Sequence, residues 1–323
     1  MTDSIAPTGG VNHSTAPTGG MTDSVAPTGG MTISTAPTGG MTDSAAPIGG
    51  MTSSTAQTGG MPRRLPGWMS LEGQVGMVTG GGTHLGLAMA TALAELGCTV
   101  YLLGRRREVV EQAAAQLRSA GLDAHAVSAD AADEAAVERV VQDIVARHGR
   151  FDVMVCNAGG AFGTAMAPHI SVGDLETTLR LNVATTLVCA QTAARAMLTR
   201  RCGAIITIGS LHASLGSDPR LYAPDFRRST QSYHAAKGAV LNLTRALACE
   251  LAQHNITVNC ISPGQIPKPS LDAFTRENFR NMVPLGRLGV PSDLNGAVAL
   301  FASRAGQWIT GQNLVVDGGW SAW

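Results

Sequence analysis

Val75-Gly-Met-Val-Thr-Gly-Gly-Gly-Thr-His-Leu-Gly86 is the stretch that decides the fold. Val75–Thr79 reads as a short apolar strand and Leu85–Leu96 as an alanine-rich helix, so a glycine-rich turn joins strand directly to helix. Glycines there let the backbone approach a phosphate. The helix N-terminus beyond adds free N–H groups and the positive end of its dipole. A turn of this kind after a first strand is where a doubly wound sheet receives a dinucleotide diphosphate.

The same rhythm continues outward. Thr99–Leu103, Asp152–Cys156, Ala204–Ile208, Thr257–Ile261 and Asn313–Val316 are short, apolar and β-branched, as expected of strands buried on both faces. They alternate with helices at Arg106–Ala120 and near 133–148, 173–200, 231–253 and 291–303. The expected fold is α/β, a Rossmann-like doubly wound parallel sheet forming a single domain over 68–323.

Residues 1–60 are six copies of a ten-residue unit, as in Met21-Thr-Asp-Ser-Val-Ala-Pro-Thr-Gly-Gly30. No unit carries an aromatic residue or an apolar period, so none can bury a face to offset its ordering entropy. Residues 1–67 are therefore expected to be a disordered low-complexity tail, dispensable for folding and chemistry. A flexible tether or partner-binding arm is the other reading, and Met61 or Met69 is a possible start.

Charge and composition narrow the partners. The 323 residues carry 23 basic and 23 acidic side chains and only 4% aromatics, which leaves neither a nucleic-acid footprint nor a membrane-binding patch. A small molecule is the expected partner. Cys98, Cys156, Cys189, Cys202, Cys249 and Cys260 are scattered, without zinc-site or disulfide-scaffold spacing, and read as small buried residues of a reducing compartment. The N-terminus has no basic region followed by an apolar run, so a cytoplasmic location is expected.

Two local patterns carry chemistry. In Tyr233-His-Ala-Ala-Lys237 a phenol and an ammonium lie one helical turn apart on one face. An ammonium beside a phenol favours the phenolate, making an acid/base device. Lys237 and Lys268 are the only lysines in the chain, against twenty-one arginines, and a compact ammonium does here what a guanidinium does not. At the end of the second strand, Gly104 stands where an acidic residue would hold the ribose hydroxyls of NAD. Arg105 and Arg106 follow and can pair with a 2′-phosphate, so NADP(H) is preferred and NAD(H) possible. The alternative is a pair of ordinary surface arginines.

Taken together, residues from about 70 to 323 resemble the compact, single-domain branch of the short-chain dehydrogenase/reductase family. The resemblance rests on Thr79-Gly-x-x-x-x-x-Gly86, Asn157-Ala158-Gly159, Asn182 in Arg-Leu-Asn-Val, Ser210, Tyr233 and Lys237, then Ile261-Ser-Pro-Gly264 and Val316-Asp-Gly-Gly319, in order. It implies a catalytic set of Asn182, Ser210, Tyr233 and Lys237 and no metal. It further implies cofactor contacts from Gly80, Gly82, Thr83, His84, Leu85 and Gly86, from Asn157, Ala158 and Gly159, and from Pro263, Gly264 and Ile266. Asp130 resembles the family's adenine-contacting aspartate, or else caps the following helix.

The implied reaction is hydride transfer between a nicotinamide and a carbonyl or secondary alcohol. Tyr233 is the general acid/base, Ser210 binds the substrate oxygen, Lys237 tunes the tyrosine and holds the ribose, and Asn182 positions a water. Sugar acids, polyols and acyl thioesters are the substrate classes. A non-catalytic nicotinamide sensor or scaffold, using the repeats for partners, is the alternative. The family is commonly oligomeric, and 291–303 with 313–316 resembles its interface elements, so a homotetramer or homodimer is expected.

Three departures from the family pattern stand out. His84 occupies the middle glycine position of the phosphate loop, either touching the diphosphate or filling the space beside it. Lys268 stands where a threonine is usual near the nicotinamide amide. The interval from Ser210 to Tyr233 is longer than usual, and its Arg220, Arg227 and Arg228 suggest an anionic substrate, or alternatively a solvated loop or subunit contact.

Overall fold

The computed structural model describes residues 66–323. The repeats, and with them nearly all of the expected tail, lie outside the described residues.

Seven strands, β1 (Val75–Thr79), β2 (Thr99–Gly104), β3 (Ala124–Ser128), β4 (Val153–Cys156), β5 (Gly203–Ile208), β6 (Ile256–Pro263) and β7 (Asn313–Val316), form one sheet. Its order is β3-β2-β1-β4-β5-β6-β7, and every pairing is parallel. The order reverses between β1 and β4. That is the switch point at which ligands bind, outside the carboxyl ends of the strands.

Helices α1 (His84–Glu95), α2 (Arg107–Ser119), α3 (Glu134–His148), α4 (Val172–Leu179), α5 (Thr185–Leu198), α6 (Gln231–Leu251), α7 (Ala273–Met282) and α8 (Asn295–Ala302) accompany the sheet. Strand alternation divides the core between the two faces. Val78 of β1 packs with Met89 and Leu93 of α1 and Phe301 of α8, whereas Val75 and Met77 pack with Val141 and Ile144 of α3 and Met197 of α5. Each such side chain, fully buried, contributes about 1.5–3 kcal/mol. Arg150 forks onto the Asp152 carboxylate at 2.7 and 2.8 Å, and the same carboxylate accepts from the Val75 N–H at 2.9 Å, fixing the start of β1 beside β4.

Several expectations change. The helix expected over 173–200 is interrupted by a π-helical turn at Arg180–Ala184, and α7 was not anticipated because its sequence is polar with only scattered aromatics. β7 is not buried on both faces: Leu314 and Val315 are 36% and 39% exposed because β7 is an edge strand. Cys202 and Cys249 are exposed, near the ends of a turn and a helix, so only the other four cysteines are the buried small residues expected.

Candidate active site

The site begins at the β1–α1 turn. Gly80 has φ of +64°, and a Cβ on Gly86 would run into the Gly80 carbonyl oxygen, so the turn closes this tightly only with glycine at both positions. His84 keeps the left-handed backbone of the glycine it replaces, with φ of +48°, and its Nε2 is buried without a partner among the described residues. Beside the turn, Cβ atoms on Gly82 and Gly104 would crowd Val109 and Val110 of α2 at 2.9–3.1 Å.

Thr79 ties this turn to β4. Its hydroxyl accepts from the backbone N–H groups of Asn157 and Ala158, both at 3.0 Å, while the Asn157 amide donates to the carbonyls of Thr79 and Gly80 at 2.9 and 3.3 Å. Asn157 thus braces the cradle through the backbone. Gly159 is equally constrained, since a Cβ there would meet the Asn182 Oδ1 at 2.6 Å.

Asn182 sits in the π-helical turn, 1% exposed, with its amide donating to Thr178 and Gly160 carbonyls at 2.8 Å and accepting from the Gly160 N–H at 3.2 Å. π-Turns inside α-helices are frequent at functional sites. Here the side chain is engaged in holding the loop after Gly159 and does not reach the cleft.

Ser210, Tyr233 and Lys237 meet at the other end of the cleft, beyond the carboxyl ends of β5 and β6. The Lys237 ammonium donates to the Ile208 carbonyl at 2.8 Å and lies 5.6 Å from the centre of the Tyr233 ring. Burial lowers its pKa to about 8. For Tyr233 burial dominates and raises the pKa, with the Ser210 hydroxyl pulling it back down. In this arrangement the ammonium faces the Ile208 carbonyl, and the Ser210 hydroxyl is the neighbour that favours the phenolate.

His212 follows Ser210. Its ring stands edge-on to Tyr233 at 6.3 Å and against His234 at 4.4 Å. Burial, then the neighbouring His234, pushes its pKa down to about 4. His234 is held between the Thr230 carbonyl at 2.8 Å and the Ser217 hydroxyl at 3.1 Å.

The glycine-rich turn and the Ser210, Tyr233 and Lys237 group open onto one cleft of about 740 Å³. It gathers the turn residues Gly80, Gly82 and Thr83 to Gly86, then Arg105, Arg106 and Asp130 at one end, Asn157 to Gly159 along the floor, and Ser210, Tyr233, Lys237, Pro263, Gly264 and Lys268 at the other. Ile266 is not in it; it lines a separate cavity of about 180 Å³ with Arg287 and Gly289. Asp130 accepts from the Ala132 N–H at 3.0 Å, and Asp133 is the residue that caps α3. Sequence reasoning missed Val109, Val110, Ala161, Leu181 and Thr185, which also line the cleft. The apolar Val109-Val110 pair just after the arginines was the available signal.

Comparisons with known proteins agree with this architecture. A family profile described as Enoyl-(Acyl carrier protein) reductase matches residues 82–321. A cyclohexanol dehydrogenase from Rhodococcus is 32% identical over 270 residues, covering 78% of this chain and 97% of its own. A 2-dehydro-3-deoxy-D-gluconate 5-dehydrogenase from Dickeya dadantii is 33% identical over 261 residues, with the same coverage. Among solved structures, a gluconate 5-dehydrogenase from Burkholderia cenocepacia, in complex with NADP and tartrate, superposes with a TM-score of 0.72 at 30% identity, covering 80% of this chain and 98% of that one.

The chain belongs to the short-chain dehydrogenase/reductase family. It is an NAD(P)-dependent oxidoreductase acting on CH–OH groups, which sets aside the non-catalytic sensor.

Proposed function

We propose that the chain interconverts a carbonyl and a secondary alcohol with a preference for NADP(H), using Tyr233 as general acid/base. One observation carries this: Ser210, Tyr233 and Lys237 share a cleft whose far end holds Arg105 and Arg106 and ends β2 in a glycine. A nicotinamide dinucleotide fits these residues, because the glycine cradle leaves room where a Cβ would stand and α1 points its N-terminus into it. Bound there, the nicotinamide supplies or accepts the hydride.

The protein's own part is proton handling and positioning. A buried phenol favours its neutral form, which suits Tyr233 to donate a proton as negative charge develops on the substrate oxygen. The Ser210 hydroxyl holds that oxygen, an interaction strengthened where water is excluded. Lys237, with its pKa brought to about 8, sits close to titration and can pass a proton onward. Asn182 supports the site by fixing the Gly160 backbone. Gly80 to Gly86 hold the diphosphate, Asn157 to Gly159 with Pro263 and Gly264 flank the nicotinamide half, and Asp130 serves the adenine.

Polyols, sugar acids and acyl thioesters are the candidate substrates, supported by relatives named for galactitol, 2-dehydro-3-deoxy-D-gluconate and 3-oxoacyl carrier protein. The catalytic domain is taken as 68–323, acting as a cytoplasmic homodimer or homotetramer. A panel of alcohols and carbonyls followed by nicotinamide absorbance with both cofactors tests the reading. Tyr233→Phe should lower turnover by about 100-fold or more while leaving cofactor affinity within about twofold. Retention of most activity by that variant would be decisive against it.

A further inference from the structure

The anion-binding role expected for Arg220, Arg227 and Arg228 is not met at the cleft, which none of the three lines. Arg220 is paired with Asp218 at 2.7 Å, Arg227 donates to the Gly163 carbonyl at 2.8 Å, and Arg228 lies over the Tyr222 ring at 5.9 Å. The arginines and lysines that do line the cleft are Arg105 and Arg106 at one end and Lys237 and Lys268 at the other. Asp130, at the arginine end, carries the only carboxylate among the described residues that line it. The end that holds Ser210 and Tyr233 is therefore lined by two lysines and no acid.

The two lysines differ in what they are free to do. Lys237 is buried, and its ammonium donates to the Ile208 carbonyl at 2.8 Å. Lys268 is exposed and forms no ion pair with a described residue. Its backbone is nonetheless held in place. The Gly209 N–H donates to the Ile261 carbonyl at 2.8 Å, which sets the end of β6 beside Ser210. Beyond β6, the Gly264 N–H donates to the Val316 carbonyl at 2.9 Å, and the Gln265 carbonyl accepts from the Gly289 N–H at 3.0 Å. After Lys268, the Leu271 N–H returns to the Lys268 carbonyl at 3.1 Å, and Arg276 of α7 donates to the Pro269 and Leu271 carbonyls at 3.4 Å. A loop bonded on both sides of Lys268 thus brings an unpaired ammonium to the cleft, with its donors left for a ligand.

We infer that Lys268 is a substrate-binding residue that selects for acids, holding the carboxylate of a hydroxy or oxo acid whose reacting oxygen sits at Ser210 and Tyr233. A carboxylate at this end of the cleft meets a positive lining with no acid to repel it. A hydroxyl or ester in the same place makes only the weaker hydrogen bond of a neutral acceptor. The inference rests on the carbonyl–alcohol reading above and narrows its substrate class to hydroxy and oxo acids.

The test uses the full chain with NADP and pairs of alcohols that share a skeleton and differ in charge. These are cis-4-hydroxycyclohexanecarboxylate and 3-hydroxybutyrate, each against its methyl ester, and gluconate against sorbitol. On the skeleton turned over best, the parent should favour the acid in kcat/KM by about tenfold or more. Lys268→Met should reduce that preference by about tenfold, chiefly through KM for the acid, and Lys268→Arg should keep most of it. Binding of the same pairs to the chain loaded with NADPH, where an alcohol cannot react, is read by NADPH fluorescence. The acid should bind about tenfold more weakly to Lys268→Met than to the parent, while NADPH itself binds both within about twofold. A parent that prefers the neutral partner, a preference unchanged in Lys268→Met, or a loss of NADPH affinity equal to the loss for the acid overturns the inference, the last by placing the ammonium on the cofactor. If no compound is turned over, the catalytic reading fails and the binding comparison decides the role of Lys268 by itself.

Discussion

Thr79 and Asn157 are locked together across the β1–β4 junction, backbone N–H to hydroxyl at 3.0 Å and side-chain amide to carbonyl at 2.9 Å. The lock lies at the switch point of the sheet. One threonine thereby sets the distance between the glycine-rich turn and the loop that carries Asn157 to Gly159.

Thr79→Val should keep the shape and lose the hydroxyl, leaving the Asn157 and Ala158 N–H groups without their acceptor. The expected loss is about 2–4 kcal/mol of stability, read as a lower denaturant midpoint, with weaker cofactor binding. Thr79→Ser should retain most of both. Equal behaviour of the two variants would show the lock to be incidental.

Gly86→Ala places a methyl group against the Gly80 carbonyl and the Asn157 amide, both of which are backbone or held by backbone. Neither can swing aside. Overpacking of this kind costs about 1–3 kcal/mol, and the cradle should widen enough to weaken NADP(H) and NAD(H) alike, as measured by cofactor fluorescence. Affinity at the parent level for both would mean that α1 shifts freely.

Arg105 follows Gly104 at the end of β2 and opens onto the cleft. Removing one charge-assisted contact to a 2′-phosphate costs about 1.5–3 kcal/mol, so Arg105→Ala should weaken NADPH by roughly 10- to 100-fold and leave NADH nearly unchanged. Calorimetry with both cofactors checks this. Parallel losses would place Arg105 away from the ribose.

His212 makes stability fall on the acid side. Its folded pKa is about 4, below the ordinary 6.5, so between these values the unfolded chain binds more protons than the folded one. Stability is therefore lost as pH drops from 6.5 through 4, by up to about 3 kcal/mol. His212→Asn should flatten the melting-temperature profile in that window while leaving neutral pH little changed. A slope equal to that of the parent would assign the acid sensitivity to other groups.

Much of the fold was legible because strands buried on both faces read as unbroken apolar runs, and β1, β2, β4, β5 and β6 were found within one or two residues of their ends. α7 was not legible. Its ten residues are mostly polar, and it is secured by contacts with Leu221, Tyr222 and Ala223, distant in sequence. The π-turn at Arg180–Ala184 was hidden for a related reason, since one extra residue in a helical turn leaves composition and apolar spacing almost untouched.

The sequence by itself determined the strand–turn–helix cradle and the placing of Tyr233 and Lys237 one turn apart on α6, because both depend on neighbours within one or two turns of the chain. Only the tertiary structure decided what those groups face. It turned Lys237 toward Ile208, engaged Asn182 with Gly160, placed Ile266 in a separate cavity, left Arg220 exposed beside Asp218, and set Arg227 against the Gly163 carbonyl and Arg228 over the Tyr222 ring. A residue's type states which bonds it can make. Burial and the partners brought from distant parts of the chain select which of them it does make.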